Sequence, residues 1–244
     1  MKNHIRLAAL AVFAFSATSH AEVNLTWGDE TFTYPTSIRL ADALIPLSLP
    51  SDTYWPSAAL FKPDEEVKQT KQTLLENLNI ISKRFASSDA KLQSSIEQLI
   101  QIVTSWKVAK RSPIEIDLDL ARIQPSKNPL LAEGDYVLTA TQRSKTLFIF
   151  GAVEQATVVR HLPHSDVSHY LTSSVRIGKS DPDYVYILQA DGRVIYAPSS
   201  YWNQHHQEVM PGSMLFVPFK ESLFHPEFEK INDLLVSLAK NRVL

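Results

Sequence analysis

Between residues 64 and 112 apolar side chains return every three or four positions, and no proline or glycine interrupts them. Val67, Leu74, Leu75, Leu78, Ile81 and Phe85 share one helical face, and Leu92, Ile96, Leu99, Ile100, Val103 and Trp106 share another. Asp64, Glu65 and Glu66 place acids where a helix N-terminus favours them. Ser87-Ser88-Asp89 reads as a turn ending in a new N-cap. The pattern predicts two antiparallel helices joined by a tight loop, each burying its apolar stripe at home.

On either side the period shortens to two and proline and glycine return, so the flanks read as strands and turns. Extended segments are expected at 23–27, 31–34, 136–141, 146–153 and 214–219. Residues 184–189 and 193–198 flank Ala190-Asp191-Gly192, a hairpin-type turn. Residues 114–120 alternate strictly, with Ile114, Ile116, Leu118 and Leu120 against Glu115, Asp117 and Asp119, and are expected to form a half-exposed strand. A short helix is expected over 167–173. A C-terminal amphipathic helix should start at Pro226, with Phe228, Ile231, Leu234, Leu235 and Leu238 on one face. Gly134 and Gly212 each launch an apolar strand from a turn, a weak internal repeat that suggests two copies of one small α+β unit.

The first residues carry a different signal. Lys2 and Arg6 precede an uninterrupted apolar run from Leu7 to Phe15, and Ser19-His20-Ala21 offers small residues for cleavage. Residues 1–21 are therefore expected to be a secretory signal, too short in its apolar part to span a bilayer. No cysteine follows it, which excludes lipid attachment at the new N-terminus, and no later run reads as a transmembrane span. Periplasmic location is expected. The apolar fraction of 44 % supports a packed core, which must form without disulfides, since the chain has no cysteine. The net charge of −2 gives no footprint of a nucleic-acid binder.

Catalytic motifs are missing: there is no G-x-S-x-G, no H-E-x-x-H and no Gly-rich phosphate loop. Glu115, Asp117 and Asp119 would stand roughly 6.6 Å apart along a strand, near the spacing of glycosidase carboxylates, but the wet face of a strand explains them more simply. His161, His164, Asp166 and His169 cluster locally without a zinc-ligand spacing and are expected to sit in solvent, as are His205 and His206. No metal or other cofactor is expected. Trp55 and Trp202 are expected to be core residues. Arg111 and Arg122 bracket the acidic segment, and an arginine fork suits carboxylates, phosphates and sugar hydroxyls.

Four stretches carry a family resemblance: YWPSAALF at 54–61, NPLLAEGDYVLTATQR at 128–143, LFIFGAV at 147–153 and YWNQHHQEVMPGSMLFVPF at 201–219. In order and spacing they resemble the GfcC-type (YjbG-like) periplasmic proteins of capsule and exopolysaccharide operons. The resemblance implies two β-grasp domains, with a helical hairpin inserted in the first and a C-terminal amphipathic helix. The second unit also resembles the SLBB repeat of outer-membrane polysaccharide exporters. The implied division is signal peptide 1–21, first domain 22–146 with the insertion at 64–112, second domain 147–222 and terminal helix 223–244. Arg111 and Arg122 match arginines of the family. The expected function is that of a non-enzymatic periplasmic accessory protein, binding surface polysaccharide or the outer-membrane exporter through Arg111 and Arg122, with Asn203 and His206 as polar neighbours. Two alternatives stand beside it. One is a polysaccharide-modifying enzyme using Asp117 or Asp119. The other is a structural subunit assembling through its terminal helix.

Overall fold

The computed structural model describes residues 22–200, 202 and 205–243. The expected signal segment, Tyr201 and Asn203 lie outside the described residues. The fold is α+β, with two five-stranded sheets, two short strand pairs and six helices among the described residues. The chain opens with the hairpin β1 (Val23–Trp27) and β2 (Glu30–Tyr34). Next come β3 (Ile38–Arg39), the helix α1 (Leu40–Leu44) and β4 (Ala59–Lys62). The helices α2 (Glu65–Phe85) and α3 (Ala90–Ser105) lead to β5 (Lys107–Val108) and β6 (Lys110–Arg111). The short helix α4 (Leu118–Ile123), β7 (Leu130–Leu131) and β8 (Gly134–Thr139) complete this half. The second half runs β9 (Thr146–Gly151), β10 (Thr157–Arg160), α5 (Val167–Leu171), β11 (Tyr184–Leu188), β12 (Val194–Pro198), β13 (Met214–Val217), α6 (Pro226–Lys240) and β14 (Arg242–Val243).

The two sheets are built alike. The first has strand order β2-β1-β8-β4-β6, the second β10-β9-β13-β11-β12. In each, the first strand of an opening hairpin pairs in parallel with a late strand at the centre of the sheet: β1 with β8, and β9 with β13. The two Gly-launched strands of the sequence repeat therefore occupy the same central place.

The helical hairpin forms where the periodicity places it. Asp64 accepts from the Val67 amide at 3.0 Å, and Asp89 from the Leu92 amide at 3.0 Å, so both helices start on a side-chain cap. At the open end Lys71 donates to the carbonyls of Thr104 (2.9 Å) and Trp106 (2.7 Å), placing a cation on the C-terminus of α3. Although the hairpin is inserted between β4 and β6, its apolar stripes join the core of the second sheet. Trp106 meets Phe150 edge-on at 5.9 Å, and Ser95 donates to the Gly151 carbonyl.

The terminal helix α6 packs against α2 and β11. Phe228, Ile231, Leu235 and Leu238 are fully buried in the same core. Asn232, also fully buried, pairs its amide with the Phe219 backbone, accepting at 3.0 Å and donating at 2.8 Å. Beyond the helix β14 pairs with β5, and Asn241 accepts from the Arg111 amide. The helix thus braces the second sheet, the hairpin and the first sheet together.

One expected element is corrected. Residues 114–120 do not form a strand: the alternation ends at Asp117, which caps α4 by accepting from the Leu120 amide at 2.9 Å. Ile116 is buried in the alternating part, and Ala121 then fills the buried position of the helix. An aspartate ahead of Leu-Asp-Leu-Ala-Arg-Ile satisfies helix-start chemistry as well as strand alternation, and packing under α1 decides for the helix.

Candidate functional site

The most constructed polar position is Arg111, at the seam between the two sheets. The β4–β6 register sets it opposite Phe61, and the guanidinium lies 5.7 Å from the centroid of that buried ring. From the other half, the turn between β11 and β12 closes over it. Its Nη2 donates to the Ala190 carbonyl at 3.4 Å. Gly192 has φ +88°, and a Cβ there would lie 2.7 Å from Arg111 Nε, so glycine is needed for both the turn and the close approach. Burial pulls the Arg111 pKa down, and neighbouring Asp191 opposes that shift. The guanidinium stays charged at any physiological pH. Asp191 itself pairs with Arg193 at 2.6 Å.

Above this contact opens a cleft of about 670 Å³. The first half contributes Trp55, Glu115 and Asp117, the turn contributes Asp191 and Arg193, and the end of α6 contributes Lys240. The wall carries both charges and one large aromatic, a mixture suited to a hydroxyl-rich ligand with fixed polar contacts. The acids of the segment have structural partners. Glu115 pairs with Lys127, Asp117 caps α4, and Asp119 accepts the Trp55 indole N–H at 3.1 Å. They are not arranged along one strand face, because the strand does not exist.

Arg122 is exposed at the end of α4 and does not line this cleft, and His206 is exposed in the segment before β13 and does not line it either. The structure therefore does not gather Arg111, Arg122 and His206 around one point, and Asn203 lies outside the described residues. Trp55, also expected in the core, is only half-buried: it packs against the core of the first sheet and lines the cleft. Trp202 corrects the core expectation: it is 72 % exposed, with its indole N–H on Asp183 at 3.2 Å. Sequence reading missed Gly192, Asp191 and Asn241. The Asp-Gly turn was visible, but its approach to a residue some 80 positions earlier was not.

A second cleft, of about 580 Å³, shares Arg193 with the first. There Arg143 lies 5.7 Å from the Tyr54 ring. The histidine cluster disperses into separate contacts. His161 Nε2 is 3.0 Å from the Val209 carbonyl, and His164 is 3.7 Å from Glu208. His169 meets Tyr170 edge-on, and Asp166 caps α5. Among the described residues no three His, Cys, Asp or Glu side chains are placed to share a metal ion. Asp166 also accepts from the Gln207 amide at 2.7 Å. Burial alone would raise its pKa, but the hydrogen bonds from Gln207, Ser168 and Val167 hold it below the usual carboxylate range.

Comparison with known proteins bears on what this site serves. Two family models match the chain: "Capsule biosynthesis GfcC, N-terminal" over residues 18–143 and "Capsule biosynthesis GfcC C-terminal" over residues 155–244. A protein of Escherichia coli (strain K12), "Uncharacterized protein YjbG", is 30 % identical over 234 residues, covering 96 % of this chain and 91 % of that protein.

Proposed function

The chain belongs to the GfcC family of capsule biosynthesis, and from that premise we propose that it is a non-enzymatic accessory protein of the bacterial envelope that binds surface polysaccharide during its assembly or export. The observation that carries this reading is the seam cleft. A half-buried, charged guanidinium is held at its base by contacts from both sheets, under a mixed-charge wall that includes Trp55. Arg111 is the ligand-facing cation. A sugar hydroxyl or carboxylate is the complementary group for its fork.

In the same reading the protein is exported through residues 1–21 and works in the periplasm, with the outer-membrane polysaccharide exporter as the companion partner. Its halves, 22–146 and 147–222, are two β-grasp units, the second of the SLBB type. The common strand order, with first and last strands parallel at the centre, supports that assignment. No helix of the described residues is long and apolar enough to cross a membrane.

The test separates an accessory role from an enzymatic one. Replacing Asp117 and Asp119 together by Asn keeps the helix cap while removing both carboxylates. Surface polysaccharide incubated with the purified protein should keep its chain length and composition, with the wild type as with the double variant. Cleavage or modification by the wild type that the folded double variant no longer performs would make these acids catalytic and sink the accessory reading.

A further inference from the structure

A third cleft, of about 1120 Å³, lies between the two sheets, with β8 on one side, β9 and β10 on the other, and the β5–β14 ribbon in its wall. Its size is just above the roughly 300–1,000 Å³ usual for ligand sites. It shares no lining residue with the Arg111 cleft. The lining is mainly apolar. Ile102, Val108, Val137, Phe148 and Val243 are half-buried, and Val158 on the edge strand β10 is 62 % exposed. Lys68, Lys107 and Arg242 bring positive charge to this lining, and among the described residues no acid lines it.

Two observations say what this wall lacks. The first is an anion. Lys68 is paired with Glu65, but Lys107 and Arg242 make no ion pair among the described residues. Arg242 is half-buried, with its guanidinium 5.6 Å from the centroid of the Trp106 ring. Its Nη1 donates to the Met214 sulfur, a weak acceptor, and the rest of the fork has no acceptor among the described residues. Burial lowers its pKa and, unlike at Arg111, no acid opposes the shift. A half-buried cation without an anion costs free energy that the Trp106 face offsets only in part. The second observation concerns hydrogen bonding. Every hydroxyl of the lining is already engaged: Thr26 with Thr31, Ser105 with the Ile102 carbonyl, Thr139 with the Ala59 carbonyl, Ser144 with Thr146, and Ser213 with Gln189. A glycan or an extended peptide asks its site for many hydrogen bonds. This wall offers apolar surface and unmatched positive charge instead.

We propose that this cleft binds one molecule of a lipid phosphate, a long apolar chain ended by a phosphate monoester. The chain lies against Val137, Phe148 and Val158, and the phosphate oxygens accept from the Arg242 fork. A phosphate monoester carries about −1.5 to −2 charges near pH 7. That matches the two unpaired cations, Arg242 and Lys107, better than the single charge of a carboxylate does. Because the two clefts have separate linings, the inference stands apart from what the Arg111 cleft binds.

The test uses residues 22–244 and dodecyl phosphate below its micelle concentration, with dodecanoate, dodecyl maltoside and inorganic phosphate as comparators. Binding is read by isothermal titration for the wild type, Arg242→Gln and Val158→Glu, and melting curves check that each variant folds. The wild type should bind dodecyl phosphate about tenfold or more tightly than dodecyl maltoside, which lacks the anion, or inorganic phosphate, which lacks the chain. Arg242→Gln should weaken dodecyl phosphate about tenfold, the scale of one hydrogen bond to a charged group. Val158→Glu sets a carboxylate against the chain at an exposed position and should weaken it by about the same factor. It carries the test alone where Arg242→Gln does not fold. Dodecyl phosphate that does not bind, that binds no more tightly than dodecyl maltoside or inorganic phosphate, or that binds the folded variants as it binds the wild type overturns the site. Dodecanoate bound more tightly than dodecyl phosphate overturns the phosphate head group.

Discussion

Replacing Asn232 by Leu should destabilise the protein by about 3 kcal/mol. The residue is fully buried on α6, and its amide satisfies both the N–H and the C=O of Phe219 at 3.0 and 2.8 Å. Leucine is close in size and fills the space, but it leaves two buried backbone groups without a partner, each costing about 1–3 kcal/mol. Part of that is offset by the added apolar contact. At about 2–4 °C per kcal/mol for a domain of this length, the melting temperature should fall by roughly 6–12 °C. Thermal unfolding by circular dichroism measures it. Asn232→Asp gives the second arm. Its carboxylate could still accept from the Phe219 amide but would face the Phe219 carbonyl with a like partial charge, and burial would raise its folded pKa above the unfolded value of about 3.9. The loss relative to the wild type should therefore be smallest below about pH 3.9 and grow as pH rises through the folded pKa. A fall under about 2 °C for Asn232→Leu, or a difference between Asn232→Asp and wild type that does not grow with pH, would refute the view that α6 is integral to the fold. It would reopen the idea of a helix free to assemble with partners.

The remaining expectations follow the same contacts. Gly192→Ala requires a positive φ and pushes against Arg111. It should cost about 2 kcal/mol and weaken any ligand of the seam cleft, which unfolding and titration on the same sample would show; an unchanged melting temperature would contradict the packed seam. Asp166 titrates below the usual carboxylate range, so the stability it lends is present above that range and lost as pH falls through its folded pKa. Asp166→Asn should flatten the acid limb of the stability profile, and limited proteolysis of Asp166→Ala should cut first near residues 205–209, which the aspartate holds through Gln207. Proteolysis elsewhere first would contradict that tether.

How much of this was legible in the sequence depends on the range of the interaction. The hairpin α2–α3, its two aspartate caps, the Asp-Gly turn and the proline-started α6 are local patterns, and each stands where periodicity places it. Residues 114–120 failed because two local rules coincided: alternating side chains fit a strand, and Asp117 fits an N-cap. Only the packing of α4 against α1 chooses between them. The surroundings of Arg111 were not legible. Arg111 stands out in the sequence by its residue type alone, and its companions Asn241, Ala190 and Gly192 come from segments 79 to 130 positions away. The helical insertion also belongs to one sheet by chain order and to the other by packing, which no local pattern records. Trp202 was misjudged because large aromatics are mostly buried, while this one lies 72 % exposed.

The central claim is that the cleft over Arg111 handles the glycan. The most direct measurement is isothermal titration of residues 22–244 with polysaccharide purified from the protein's own host, for the wild type, Arg111→Ala and Arg111→Lys. Melting curves on each preparation confirm folding. Binding by the wild type, its loss in folded Arg111→Ala and only partial recovery with lysine, which keeps the charge but not the planar fork, is the predicted result. A folded Arg111→Ala that binds as the wild type does would contradict the claim and leave Arg111 as a clamp between the two sheets.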